Sequence, residues 1–206
     1  MWSVFDLFQP PCACCGLPTG SGRLVCPGCR ADLPADDTGL PAPAGLDAVR
    51  CACRYAFPVD RLVQHLKYGG QRPLARPLGD LLACAAGPAR RLRPVLLPVP
   101  LHPGRERRRG FNQATLLARV VGRQLGLPVQ PELAWRRRDT GKQSLLDRAG
   151  RSANMQHLFG AAGELPPCIA IVDDVITTGA TVSALATVLR ANGARRIEAW
   201  AVCRTP

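Results

Sequence analysis

Two adjacent carboxylates, Asp173 and Asp174, end an apolar run and lead into Val175-Ile176-Thr177-Thr178-Gly179-Ala180-Thr181. These are the residue types of an anion site. Thr177, Thr178 and Thr181 supply hydroxyl donors. Gly179 lets the backbone come close to a ligand. A helix starting there aims its first amides and the positive end of its dipole at an anion. Neighbouring carboxylates repel a phosphate. As pure acceptors they suit the hydroxyls of a sugar that carries one. An Asp followed by Thr and Gly often only caps a helix, and that remains the simpler alternative. The Gly-x-x-x-x-Gly-Lys-Ser/Thr pattern of a nucleoside-triphosphate loop is absent.

A second chemistry sits near the N-terminus. Cys12/Cys15 and Cys26/Cys29 form two Cys-x-x-Cys knuckles, with Gly16 and Gly28 in or beside the turns. Four thiolates at this spacing suit tetrahedral zinc in a closed structural site. Cys14 is a rival to its neighbours, so the ligand set is less defined than the site. Cys51 and Cys53 have poor ligand spacing. Cys84, Cys168 and Cys203 lie in apolar patterns and read as buried small hydrophobes. A redox pairing is the alternative for the knuckles.

Basic residues collect in two further segments. Arg105, Arg107, Arg108 and Arg109 precede Gly110-Phe111-Asn112-Gln113, ahead of a helix start where the dipole disfavours cations. That placement points to a ligand anion; a solvated basic turn is the alternative. The stretch 136–154 is long, polar and poorly periodic, which reads as a functional loop or an unstructured insertion. The chain's two lysines, Lys67 and Lys142, both fall inside candidate motifs although Arg is used elsewhere.

The elements that must position these residues follow from periodicity. Val59, Leu62, Val63 and Leu66 mark one helix face, ended by Gly69-Gly70. A second helix is expected from Pro73 to Ala86, with Pro77 against it. Val95–Leu97 reads as a buried strand. Phe111 to Leu125 reads as a helix stopped by Gly126. Cys168–Val172 is fully apolar, as in a buried parallel strand. Val182, Leu185, Ala186 and Leu189 give another helix face, and Arg196–Cys203 a last strand. Alternating strands and helices imply an α/β parallel sheet. The segment 31–49 is rich in Pro and Gly and reads as an irregular arm with little to bury.

The 206 residues suffice for one α/β domain with a small appendage. The net charge of +12 suits a polyanion, either nucleic acid or a phosphorylated small molecule, although Arg-rich composition alone could produce it. No apolar run reaches membrane-spanning length, and the first residues lack a signal-peptide pattern, so a cytoplasmic protein is expected.

Residues 169–181 resemble the phosphoribosyl-pyrophosphate (PRPP) motif of type I phosphoribosyltransferases: four apolar residues, two acidic, two apolar, then Thr-Thr/Ser-Gly-x-Thr. Other segments extend the likeness. They are the cysteine knuckles, Leu66-Lys67-Tyr68-Gly69, Val99-Pro100-Leu101-His102, Arg109-Gly110-Phe111-Asn112-Gln113-Ala114, Arg138-Asp139-Thr140-Gly141-Lys142-Gln143 and Arg151-Ser152-Ala153-Asn154. In this order the chain resembles the ComF family. The resemblance implies a type I phosphoribosyltransferase-like parallel sheet flanked by helices (49–206), preceded by a small four-cysteine zinc ribbon and linker arm (1–48). It implies that Asp173 and Asp174 hold ribose hydroxyls, that Thr177, Thr178, Gly179, Ala180 and Thr181 cradle the 5-phosphate, and that Val175 and Ile176 belong to the same PRPP site. Lys67 and Arg109 join that site. Asp173, Asp174, Arg109 and Lys142 would form the catalytic set if transfer occurs. Mg²⁺ would accompany PRPP, and structural Zn²⁺ would sit on Cys12, Cys15, Cys26 and Cys29. The implied role is in natural competence and the cytosolic handling of single-stranded DNA, with partners such as a ComF helicase. A phosphoribosyltransferase with an unknown acceptor and a PRPP-sensing regulator are the alternatives.

Overall fold

The structure is a computed structural model, and it describes residues 11–19, 24–36, 39–137 and 158–205. Lys142 and the motifs at 138–143 and 151–154 lie outside the described residues.

A sheet of four parallel strands organises the chain. They are β1 (Ala48–Arg54), β2 (Val95–Pro98), β5 (Cys168–Ile176) and β6 (Arg196–Arg204), in the order β1-β6-β5-β2. A separate antiparallel pair joins β3 (Ala134–Arg136) to β4 (Phe159–Ala161). The helices are α1 (Pro27–Ala31), α2 (Val59–Tyr68), α3 (Ala75–Ala86), α4 (Pro103–Arg109), α5 (Gln113–Leu125) and α6 (Ala180–Ala191).

Successive side chains on a strand point to opposite faces, and β5 uses both. Ala170 and Val172 join Trp200 and Val202 under α2, α3 and α5, where Leu66, Leu82, Leu117 and Val121 are buried. Ile169 and Ile171 join Ala199 and Ala201 under α6, with Leu185, Leu189 and the hairpin residue Phe159. Helices therefore cover both faces, which is why the middle stretches of the central strands, 169–172 and 199–203, are continuously apolar. The α/β parallel sheet expected from the sequence is present. Among the described residues, no helix is long and apolar enough to cross a membrane.

Several boundaries moved for local reasons. The chain enters α3 through a 3-10 turn at Arg72–Leu74, and Pro77 falls in the first turn of α3, where its missing N–H breaks no helical bond. Helix α5 starts at Gln113 rather than Phe111, because the Asn112 side chain accepts the Ala114 N–H as a cap. Gly126 ends it in the left-handed region, with φ 66°. Strand β5 continues past Val172 to Ile176, pairing Asp173 with Ala201 and Val175 with Cys203. The acidic pair is therefore on a strand. The edge strand β1, which carries Cys51 and Cys53, left no clear pattern in the sequence, because most of its residues are only half-buried. Cys203 is buried as expected and Cys168 is half-buried, but Cys84 is exposed on α3.

The Pro/Gly arm is irregular but tied down. The Arg204 guanidinium, 7% exposed, donates to the carbonyls of Leu40 (3.1 Å) and Pro41 (2.8 Å). Arg190 donates to the Gly45 carbonyl and pairs with Asp47 at 2.8 Å. Asp47 in turn accepts the Ile197 N–H at 2.7 Å.

Candidate anion site and metal knuckle

Because β5 runs through the acidic pair, strand geometry sends the two carboxylates to opposite faces. Asp174 falls on the α2 side, where Lys67 at the end of α2 meets it with Nζ 3.0 Å from Oδ2. The Asp174 side chain is 2% exposed. An isolated charge at that depth would be costly, so the ammonium compensates it. The other Asp174 oxygen accepts the Val175 N–H at 2.9 Å. Burial alone would lower the Lys67 pKa; the Asp174 carboxylate reverses this and holds it above the ordinary value.

Asp173 faces the other way and lines a shallow hollow of about 30 Å³ with Ile176, Thr177, Gly179, Ala180 and Thr181. Its carboxyl is pushed well above the usual carboxylate range, first by loss of solvent and then by the Asp174 charge beside it. If both carboxylates ionised they would share one nearby ammonium, and burial together with that excess negative charge holds Asp173 protonated. A ligand rich in hydroxyls, or one that brings a cation, suits the site.

The wall opposite Asp173 is the loop and first turn of α6. Thr177 and Thr178 are exposed, and the Thr178 hydroxyl accepts the Ala180 N–H at 3.4 Å. No side chain caps α6 at Gly179, which leaves the helix end suited to an anion. Gly179 has φ +76°, and a Cβ there would stand 2.4 Å from Pro43 of the arm. The glycine therefore makes room for the arm as well as for a close turn.

Arg109 stands one step from the acids. Its guanidinium lies 5.5 Å from the centre of the Tyr68 ring, and it donates to the Gln113 side chain. Lys67 and Tyr68 are consecutive, so the end of α2 touches Asp174 with one residue and Arg109 with the next. Arg72 reinforces this contact by donating to the Gly110 carbonyl at 3.1 Å and lying over Phe111. Asn112 anchors the segment below by donating to the Val99 carbonyl at the end of β2. Sequence reasoning did not foresee Arg72 or Tyr68 as links between the two motifs.

The arginine cluster requires a correction. Arg107, Arg108 and Arg109 do stand ahead of α5, which starts at Gln113, but they belong to the last turn of a helix of their own, α4. Cations are favoured at a helix C-terminus, so their position needs no anion to explain it. The N-terminus of α4 is capped by His102, whose Nδ1 accepts the Gly104 N–H at 3.2 Å.

The sulfurs of Cys12, Cys15, Cys26 and Cys29 all lie within 4.8 Å of one another. Those of Cys15 and Cys26 are 3.8 Å apart, the separation expected for thiolates about 2.3 Å from one tetrahedral centre. The four are close enough to hold a metal ion, and an all-thiolate set fits structural zinc. Backbone amides already face the sulfurs: Cys26 and Cys14 donate to Cys12, and Cys29 donates to Cys26. Burial opposes ionisation of Cys12, but these amides, led by that of Cys26, hold its pKa down at about 6. Cys14 is outside the quartet. It packs against the α2–α3–α5 core with Ala13 and Leu33, and burial followed by the Cys12 charge raises its pKa to about 11.

The arrangement is an α/β protein with a hydroxyl-rich loop at the carboxyl ends of a parallel sheet and a four-cysteine knuckle docked on its core. No model of a known protein family matches the chain. Individual proteins do. It is 35% identical over 208 residues to DNA utilization protein YhgH of Escherichia coli (strain K12), covering 94% of this chain and 90% of that protein. Its identity to the protein of the same name from Salmonella typhi is 35% over 202 residues, covering 94% and 84%. Competence protein F of Haemophilus influenzae is 35% identical over 159 residues, covering 73% and 69%. The chain belongs to the ComF family, with these proteins as relatives.

Proposed function

We propose that this protein binds PRPP at the β5–α6 loop and acts in the cytosolic handling of single-stranded DNA during uptake. The observation that carries the ligand reading is the position of Asp173, which faces a hydroxyl-lined hollow at the uncapped end of α6. In this reading Asp173 accepts from ribose hydroxyls, and the Thr177–Thr181 loop and the helix end take the 5-phosphate. Asp174 acts through its pairing with Lys67, which fixes the strand end. Mg²⁺ arrives with the pyrophosphate and relieves the excess negative charge that ionising both acids creates. The DNA role rests on the names of the relatives, DNA utilization protein and Competence protein F, and on the net charge of +12.

The test is calorimetric titration of the zinc-loaded protein with PRPP and Mg²⁺. Saturable binding that Asp173→Asn abolishes is the expected result. A folded protein that takes up no PRPP would remove the ligand reading and leave the basic surface as the functional lead.

A further inference from the structure

We propose that the outer face of α2 is the platform on which a single-stranded nucleic acid lies, with bases stacked on Phe57 and Tyr68. The proposal rests on the DNA reading above and supplies the surface that reading lacks.

Aromatic residues make up only 5% of this chain, yet two of them stand in solvent at the two ends of one helix. Phe57, just before α2, is 77% exposed, and Tyr68, its last residue, is 78% exposed. Single exposed apolar residues are ordinary, so exposure alone decides nothing. What lies between and beside these two does. The buried face of α2 is Val59, Leu62, Val63 and Leu66. On the opposite side Arg61, His65 and Tyr68 recur at i, i+4 and i+7, one continuous stripe about 10 Å long. The acidic residue of α2, Asp60, falls about 100° away from Arg61 around the helix axis.

At the Tyr68 end the positive charge continues. The Arg109 guanidinium packs on the Tyr68 ring at 5.5 Å, and Arg107 and Arg108 are exposed in the same helical turn. Among the described residues no carboxylate pairs with Arg61, Arg107 or Arg108. An exposed ring backed by a guanidinium, followed by further arginines, combines a sequence-tolerant base platform with phosphate neutralisation. A duplex offers the phosphates but keeps its bases stacked inside, so this surface selects single strands.

The competing basic surface is Arg90, Arg91 and Arg93, which flank a cavity of about 560 Å³ beside Leu125 and Leu127. Those arginines are exposed, but no aromatic residue lines that cavity. It can attract a polyanion without distinguishing single from double strands, which makes it the internal control.

The experiment is fluorescence anisotropy of the full-length protein with a labelled oligothymidylate longer than the roughly 4–16 nucleotides one module covers, against a duplex of the same length. Wild type should prefer the single strand. Tyr68→Ala and Phe57→Ala should each weaken it about tenfold with little effect on the duplex, and Tyr68→Phe should restore binding. Arg61→Gln should flatten the log–log salt slope by about 0.7. Both aromatic residues are exposed, so an unchanged melting temperature checks the fold of each variant. Wild-type affinity in Tyr68→Ala and Phe57→Ala, or a larger loss of single-strand binding in Arg90→Gln/Arg91→Gln, would overturn the platform and leave the DNA reading standing. A wild type with no affinity for single strands would end the DNA reading and the platform together.

Discussion

Lys67 Nζ and Asp174 Oδ2 lie 3.0 Å apart and join the end of α2 to the carboxyl end of β5. Breaking a buried pair costs more than the pair itself contributes, because a charge is left behind. Lys67→Met should destabilise the fold by about 2–3 kcal/mol, less than a fully buried pair would give because Lys67 is partly exposed. Burial works against the Lys67 charge, but the Asp174 carboxylate outweighs it and holds the Lys67 pKa above its ordinary value. A folded pKa raised above the unfolded value means that stability is lost as pH rises. Denaturant titrations at neutral and strongly alkaline pH should therefore show a larger deficit for the variant at neutral pH; an equal deficit at both would place the cost in packing.

Pro43 occupies the space that a side chain at Gly179 would need, 2.4 Å from the position of its Cβ. Gly179→Ala meets this contact and an unfavourable positive φ together. A loss of about 2 kcal/mol is expected, with PRPP affinity falling as the loop shifts. Pro43→Ala should recover part of the stability but not the part due to φ. A double-mutant cycle with no coupling between the two positions would separate the arm from the loop.

Asp173 is held protonated more readily than an ordinary carboxylate by loss of solvent and by Asp174. In the unfolded chain it ionises at its usual pH, so the folded state binds more protons over the interval above that value. Stability therefore falls as pH rises through that interval. Asp173→Asn should remove the penalty and raise the melting temperature at neutral pH while abolishing PRPP binding, an exchange of stability against function at one residue. A lower melting temperature in the variant would show the carboxylate to be structural. Wild-type binding should strengthen with pH and release protons, read from calorimetry in buffers of different ionisation enthalpy.

The knuckle is the fourth case. A module that buries Ala13, Cys14 and Leu33 against the core through a short segment depends on its crosslink. Cys26→Ser or chelation should lower the melting temperature and release one zinc per chain, measured by a colorimetric chelator. Cys14→Ser should leave the zinc content unchanged, because that thiol faces the core. Loss of metal in Cys14→Ser would redraw the ligand set.

Much of this was legible in the sequence because it is local. The cysteine quartet is defined by spacing within two turns. The helices α2, α5 and α6 are defined by apolar periodicity over a few residues. The apolar half of β5 shows in its composition, and the hydroxyl loop follows it directly. The short helix α4 was missed because it holds no buried residue and leaves no apolar rhythm. The strand β1 was missed because its pairing partner, β6, lies at the other end of the chain.

The tertiary structure decided the rest. Adjacent acids look equivalent in sequence, but strand alternation turns Asp174 toward Lys67 and Asp173 toward the hollow. Only packing could bring Pro43 onto Gly179, and Tyr68 beneath Arg109. Residue type and spacing determine which chemistry is available. Which side chain performs it depends on contacts between segments far apart in the chain, and those exist only once the sheet has brought the segments together.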